Sequence, residues 1–374
     1  MRIEIDPVGA APLESVVLFL FPNILSERLF GDDSRSYFTI HPKRFRRGRM
    51  ELTSLTTADG VALPWTGIDV SRPDGRGGVV LLPPGTAIRA SLPEAATGTI
   101  TLVARFEVHV PERFGTFSWY ERDLFLTGGW YPLVAARTAA GEWDLKADFP
   151  RVDTTVELDL PSDHWALVAD SLTPPGEGEN GRRIAKAEVR DRPHVLLLVA
   201  DSLYVKQGEG VRVLQPEKAP AHARRARHAA EEALVFLGER RVFTSSSGGA
   251  PSDTLLYEAP LTRELTFHDA PVGVFSCRAY RVLPFLKRYH DVHIARAAIA
   301  EKLRDRIYAN EPGDDAAWVL DAVVWHLALE FQAKQHKGMR DVRDYARPFS
   351  FLPAVDLVLN TPDFPFSAEY YDNW

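Results

Sequence analysis

The pattern of apolar and polar positions changes character near residue 218. Upstream of it, apolar residues come in short runs and alternations cut by turn residues, the pattern of strands. Ser15 to Phe21 is a short apolar run ending at Pro22-Asn23, which predicts a buried strand. Val79 to Leu82, Leu124 to Thr127, Thr154 to Leu160, Trp165 to Ser171 and Val195 to Tyr204 are further strand candidates. Between Thr99 and Val110 the alternation is regular. Leu102, Ala104, Phe106, Val108 and Val110 share one face, and Arg105, Glu107 and His109 lie on the other. Arg72-Pro73-Asp74-Gly75, Pro83-Pro84-Gly85 and Pro174-Pro175-Gly176 mark turns, and Gly208-Glu209-Gly210 marks a hairpin. Many strands at short spacing without helices predict an all-β, saddle-like sheet domain over residues 1–205.

Downstream, the period becomes helical. Pro220 to Arg240 carries an apolar stripe of Ala226, Ala229, Ala230, Ala233, Leu234 and Leu237, with Gly238 near its end. Two strands are expected at Thr254 to Tyr257 and Val272 to Ser276. A long helix follows from Leu283 to Tyr308, broken by Asn310 to Asp315, and a second runs from Ala316 to Lys334 with Asp315 as its cap. Pro348, Pro353, Pro362 and Pro365 make the remainder mostly loop. The fold class expected is therefore α+β, with a mixed α/β domain over residues 206–374.

A chain of 374 residues exceeds what one core usually holds, which also argues for two domains. A formal net charge of -7 gives no reason to expect a nucleic-acid partner. The basic run Lys43, Arg44, Arg46, Arg47 and Arg49 reads as a solvated face. Cys277 is the only cysteine, which excludes an intrachain disulfide and a thiolate cluster, and its apolar neighbours suggest a buried strand residue. No segment approaches the ~18–20 apolar residues of a membrane helix, so no membrane span is expected. Nor does the start carry a signal peptide. As written, this reads as cytoplasmic, or as periplasmic or secreted if a leader was trimmed.

The segment Arg113-Phe114-Gly115-Thr116-Phe117, followed by Thr127-Gly128-Gly129-Trp130-Tyr131-Pro132, resembles the M1 (gluzincin) zinc aminopeptidases, whose N-terminal β domain carries a similar phrase. Trp143, Asp148-Phe149-Pro150 and the stretch from Val156 to Pro161 continue the likeness, and Val16 to Asn23 resembles the opening strand of that domain. Trp130, Tyr131 and Trp143 themselves need no ligand, since aromatics of this size serve as packing between sheet layers. Beyond residue 205 the element order resembles the family's thermolysin-like catalytic domain. The helical C-terminal domain common in the family is absent from this sequence.

The resemblance implies a zinc site of the form H-E-x-x-H on the long helix and a glutamate on the next. Two histidines one turn apart face the metal, and the intervening glutamate activates its water. Here the helix reads Tyr289-His290-Asp291-Val292-His293-Ile294-Ala295-Arg296. With His290 in the first position, Ile294 stands where the second histidine belongs. With His293 there, Ile294 replaces the glutamate and Ala297 the second histidine. The family's Met-Glu-Asn phrase is also missing from Phe267 to Gly273, where Asp269 is better read as a turn residue. Tyr370 and Tyr371 are the nearest candidates for its downstream tyrosine.

The expectation is a pseudo-peptidase that binds a peptide or protein partner, with no catalytic residues and no cofactor. The alternative is an atypical metal-dependent hydrolase, with His290, His293 and Asp321 as a two-histidine, one-carboxylate set for zinc. The plainer reading of the two histidines is a partly exposed pair on an amphipathic helix. Neither Ser245 to Gly249 nor Asp314-Asp315 matches another catalytic template.

Overall fold

Short apolar alternations joined by turn residues fold into a series of small antiparallel sheets. The computed structural model describes residues 1–6, 12–27, 41, 44–73, 79–115, 117–120, 122–138, 140–145, 149–216, 220–240, 253–259, 272–276, 287–310 and 315–335. The strands begin with β1 (Arg2–Ile5), β2 (Leu13–Phe19), β3 (Arg49–Thr57), β4 (Trp65–Ile68), β5 (Ser71–Pro73), β6 (Val79–Leu81), β7 (Ala87–Ala96) and β8 (Ile100–His109). They continue with β9 (Phe117–Tyr120), β10 (Asp123–Leu126), β11 (Leu133–Val134), β12 (Ala136–Arg137) and β13 (Trp143–Asp144). Last in this part come β14 (Val152–Pro161), β15 (Trp165–Val168), β16 (Ser171–Thr173), β17 (Arg182–Arg192) and β18 (Leu197–Ala200). Three sheets, in the orders β1-β8-β3, β11-β2-β7-β4 and β16-β15-β18-β10-β9, are joined by the two-stranded ribbons β14-β17, β12-β13 and β5-β6.

The apolar run at β2 is buried on both faces. Val17 and Phe19 enter one core with Phe117, Tyr131 and Leu197, and Val16 and Leu18 enter a second with Leu55, Ile88 and Leu102. A strand between two cores has no polar face, which is why this segment does not alternate. The expected run to Phe21 stops earlier, because Phe21–Ser26 turns into a 3-10 helix. There Asn23 replaces a strand partner: its amide donates to the Gly85 carbonyl at 2.7 Å and its Oδ1 accepts from the Met50 N–H at 2.7 Å. In β8, Leu102 and Ala104 are fully buried and Arg105, Glu107 and His109 exposed, as the alternation predicts. The expected strand Trp165 to Ser171 is instead two strands of a hairpin, turned at Ala169 with φ 52°. The expected strand Val195 to Tyr204 also splits, since β18 ends at Ala200.

The Gly-Gly-Trp-Tyr-Pro phrase has a packing explanation. A Cβ on Gly129 would lie 2.7 Å from the Phe21 ring, and its φ is +68°, so both space and backbone demand glycine. Beyond it the Trp130 indole donates to the Val195 carbonyl at 2.7 Å, and Tyr131 stacks edge-on at 4.9 Å. The basic run is solvated at its described members Arg44, Arg46, Arg47 and Arg49.

The rest of the chain supplies β19 (Tyr204–Gln207), β20 (Val211–Gln215), α1 (Pro220–Glu239), β21 (Thr254–Glu258), β22 (Gly273–Phe275), α2 (Lys287–Asn310) and α3 (Asp315–Gln335). Strands β19 and β20 form the predicted hairpin, and β20, β21 and β22 run parallel in a four-stranded sheet. One face of this sheet packs on the five-stranded sheet, with Leu214, Tyr257 and Val274 against Phe125, Leu167 and Leu198. On the other face Val211, Val213, Leu256 and Phe275 meet Ala226, Ala229 and Ala230 of α1 and Ile294, Ala297 and Ala298 of α2. A third layer forms where α1, α2 and α3 join through Leu237, Val292, Ile299, Leu320 and Phe331. Cys277 and residues 283–286, where the long helix was expected to begin, lie outside the described residues, as does everything after residue 335. No described helix is long and apolar enough to cross a membrane.

At the centre of the sheet-to-sheet contact the Phe125 and Tyr257 rings lie 5.0 Å apart. Tyr257 is fully buried, its hydroxyl makes no hydrogen bond among the described residues, and burial keeps it protonated. Tyr257→Phe is therefore expected to leave stability within about 1 kcal/mol of the parent. Phe125→Ala should cost about 3–5 kcal/mol through the cavity it opens. Urea unfolding of both variants checks this. A loss above about 2 kcal/mol in Tyr257→Phe would show that the hydroxyl is bonded after all.

Candidate functional site

From Val292 onward, the stretch of α2 singled out by sequence is buried. Every residue from Val292 to Ala300 is buried, so His293 is not the partly exposed histidine that was expected, while the side chain of His290 lies outside the described ones. The reason is the layering: the sheet covers one side of α2, and α1 and α3 cover the others. A helix enclosed in this way has no solvent face over those turns. Ile294 is 0% exposed and sits in the apolar layer with Leu256 and Phe275. Ala297, the other position at which a second histidine was sought, belongs to the same layer. Helix and strand touch closely here, since a Cβ on Gly273 would fall 2.6 Å from the Ala297 carbonyl oxygen.

The polar residues of the segment are drawn to neighbouring helices. Asp291 is gripped through two contacts by Arg225 of α1, the guanidinium Nε donating to its Oδ1 at 2.7 Å. Asp321 of α3 forms an ion pair with Arg296 of α2. The same guanidinium lies over the Trp325 ring at 4.4 Å from its centroid, and the His293 ring meets that indole edge-on at 5.6 Å. Burial, reinforced by the Arg296 charge, pushes the His293 imidazole well below its ordinary range, so it stays neutral.

The three sequence-derived metal candidates thus meet different fates. The His290 side chain lies outside the described ones, though its backbone belongs to α2. His293 and Asp321 both interact with Arg296. A divalent cation shared by them would have to break that ion pair and sit beside a fixed positive charge. As they are arranged, His293 and Asp321 alone do not make a zinc site. Asp269, Ser245 to Gly249, Asp314, Tyr370 and Tyr371 lie outside the described residues.

Arg296 is the residue that sequence reasoning passed over. Its signal was its spacing, three residues beyond His293 and so on a neighbouring part of the helix surface. Among the described residues, the ligand-type side chains that do gather are Glu51, Glu107 and His109. Glu51 of β3 stands opposite Glu107 of β8, all three are exposed, and Arg49 already pairs with Glu51 at 2.6 Å. The polar face of β8 was legible, but its partner across the ladder was not, because register is a tertiary property.

No protein-family model and no curated protein matches the chain. Among solved structures, an M1 zinc metallopeptidase from Deinococcus radiodurans is similar at 13% identity, with 94% of this chain and 70% of that one covered and a TM-score of 0.47. A point mutant of it gives the same identity and coverage with a TM-score of 0.46. A two-domain M1 zinc metallopeptidase mutant bound to L-tryptophan gives 15% identity over 88% and 70% of the two chains, with a TM-score of 0.41.

The depressed titration of His293 has a definite sign. Above about pH 6.5 the imidazole is neutral in both folded and unfolded chains. Below that, the unfolded chain takes up a proton that the folded chain refuses, so stability falls as the pH drops. Urea unfolding of the parent and of His293→Gln between about pH 7.5 and 5 should show the parent losing more stability than the variant. A difference between them that stays constant with pH would disprove the assignment.

Proposed function

We propose that this chain is an M1 peptidase-like scaffold that binds a peptide or protein and does not cleave it. In this reading residues 1–205 are a saddle-like β domain, and residues 206–374 are a degenerate thermolysin-like domain. The observation that carries the proposal is Ile294. A histidine at that place would put an imidazole into the apolar layer between α2 and the parallel strands. The two carboxylates that the sequence places beside the motif support the same reading, since Asp291 is occupied by Arg225 and Asp321 by Arg296. A general base needs a carboxylate free to take a proton from water, and both of these are held by guanidinium groups.

The test combines two measurements on the full chain purified with zinc present. Elemental analysis after removal of free metal should give far less than one metal per chain, and aminoacyl chromogenic substrates should be left intact. A stoichiometric metal that disappears in His290→Ala, accompanied by cleavage, would establish the atypical hydrolase instead.

A further inference from the structure

A cavity of about 640 Å³ opens where β1, the segment carrying β11 to β13, and β14 approach one another. Every residue from Met1 to Asp6 lines it, and so does every residue from Trp130 to Arg137 and from Val152 to Leu158. Side chains alternate across a strand, so a cavity under a sheet face touches every second residue. Contact with consecutive residues means that the cavity meets the strands at their edges. Sheet order agrees: among the described residues, β1 and β11 are each the last strand of their sheets, and β14 has β17 as its one strand partner.

The hydrogen bonds of β1 show which backbone groups face outward. The Met1 amine donates to the Ala104 carbonyl at 2.8 Å, and the Ala104 N–H donates back to the Met1 carbonyl at 2.8 Å. In an antiparallel ladder such pairs alternate. Ile3 and Ile5, opposite Leu102 and Ile100, therefore turn their backbone groups toward β8. Arg2 and Glu4 direct theirs away from it, on the side where the strand borders the cavity. The walls include Phe106, Trp130, Trp143, Phe149 and Val156. The charged residues that line the cavity are engaged elsewhere: Glu4 is paired with Arg2 at 2.9 Å and Glu157 with Lys186 at 2.7 Å, Arg137 donates to the Gly141 and Pro12 carbonyls, Asp153 accepts from the Asp191 N–H, and Asp6 accepts from the Thr99 hydroxyl.

We infer that this cavity takes an extended, apolar-rich peptide segment, which adds to β1 as a further strand. The inference rests on the peptide-binding reading above and names the place where that binding occurs. Outward N–H and C=O groups at alternate residues supply the ladder, as in other strand-addition complexes. The aromatic and aliphatic walls accept every second side chain of the incoming segment. A small apolar molecule would use the walls and leave the strand edge without a role.

The probe is a fluorescein-labelled, capped heptapeptide that alternates valine or phenylalanine with threonine, titrated with the full chain by fluorescence polarisation. A second peptide carries N-methyl groups on alternate amides, which removes ladder donors without changing the side chains. The first should bind saturably, and the second at least about tenfold more weakly. Glu4→Pro removes an outward donor at an edge position that tolerates proline, and should weaken the first peptide by a similar factor. Glu4→Ala should stay within about twofold of the parent, and the unfolding midpoint of each variant reports whether it folds. Failure of the first peptide to bind at about 1 mM, or displacement of anilinonaphthalenesulfonate by apolar compounds alone, would overturn the inference. Tight binding indifferent to both N-methylation and Glu4→Pro would overturn this site and leave the binding reading standing. Cleavage of the peptide by the bound protein would instead overturn the proposed function.

Discussion

The apolar contact between the five-stranded sheet and the parallel sheet is the constraint on which the rest of the structure depends. Phe125, Leu167 and Leu198 on one side meet Leu214, Tyr257 and Val274 on the other, and every one of these side chains is buried. Burial of this kind has no direction, but it has a consequence for neighbours. Once one face of β20 and β21 is committed to the strand-rich part, Val213 and Leu256 point the opposite way. They then need a second cover, and α1 and α2 provide it.

That second cover explains the state of α2. Its Ile294, Ala297 and Ala298 side meets the sheet, and its Val292, Ala295 and Ile299 side meets the other helices. The two apolar faces leave narrow strips for polar residues. Asp291, His293, Arg296 and Arg304 occupy those strips, and a buried charge survives there only when a partner is supplied. Arg225 supplies one for Asp291 and Asp321 one for Arg296. The small residues Ala297 and Gly273 allow the close approach of helix and strand.

Much of this was legible along the chain. The alternation over β8 and the alanine stripe of α1 each predicted the buried face, because one element's period suffices for that. The strand β17 was missed. Its buried positions are the small Ala185, Ala187 and Val189, set among arginine, lysine and glutamate, so the apolar signal is weak. The importance of Ile294 was readable from the motif it interrupts, whereas the Arg296 to Asp321 ion pair was not. That pair joins residues on two helices, and only the packing of α2 on α3 brings them together.

A fold made of many small sheets carries many strand edges, and exposed edges invite unwanted pairing. The β14-β17 ribbon answers this with charge: Arg182 pairs with Asp159, Lys186 with Glu157, and Arg190 with Glu188 along its outer surface. The cavity beside β1 is different. Phe106, Trp130 and Val156 stand where blunting residues would be expected, and the ion pairs lie at the rim. The contrast lies between the two faces of a single strand: Glu157 and Asp159 are exposed and paired with Lys186 and Arg182, while Val156 and Leu158 are turned inward. It sets this edge apart as a place where pairing can be accommodated, and it follows from side chains present in β14 itself.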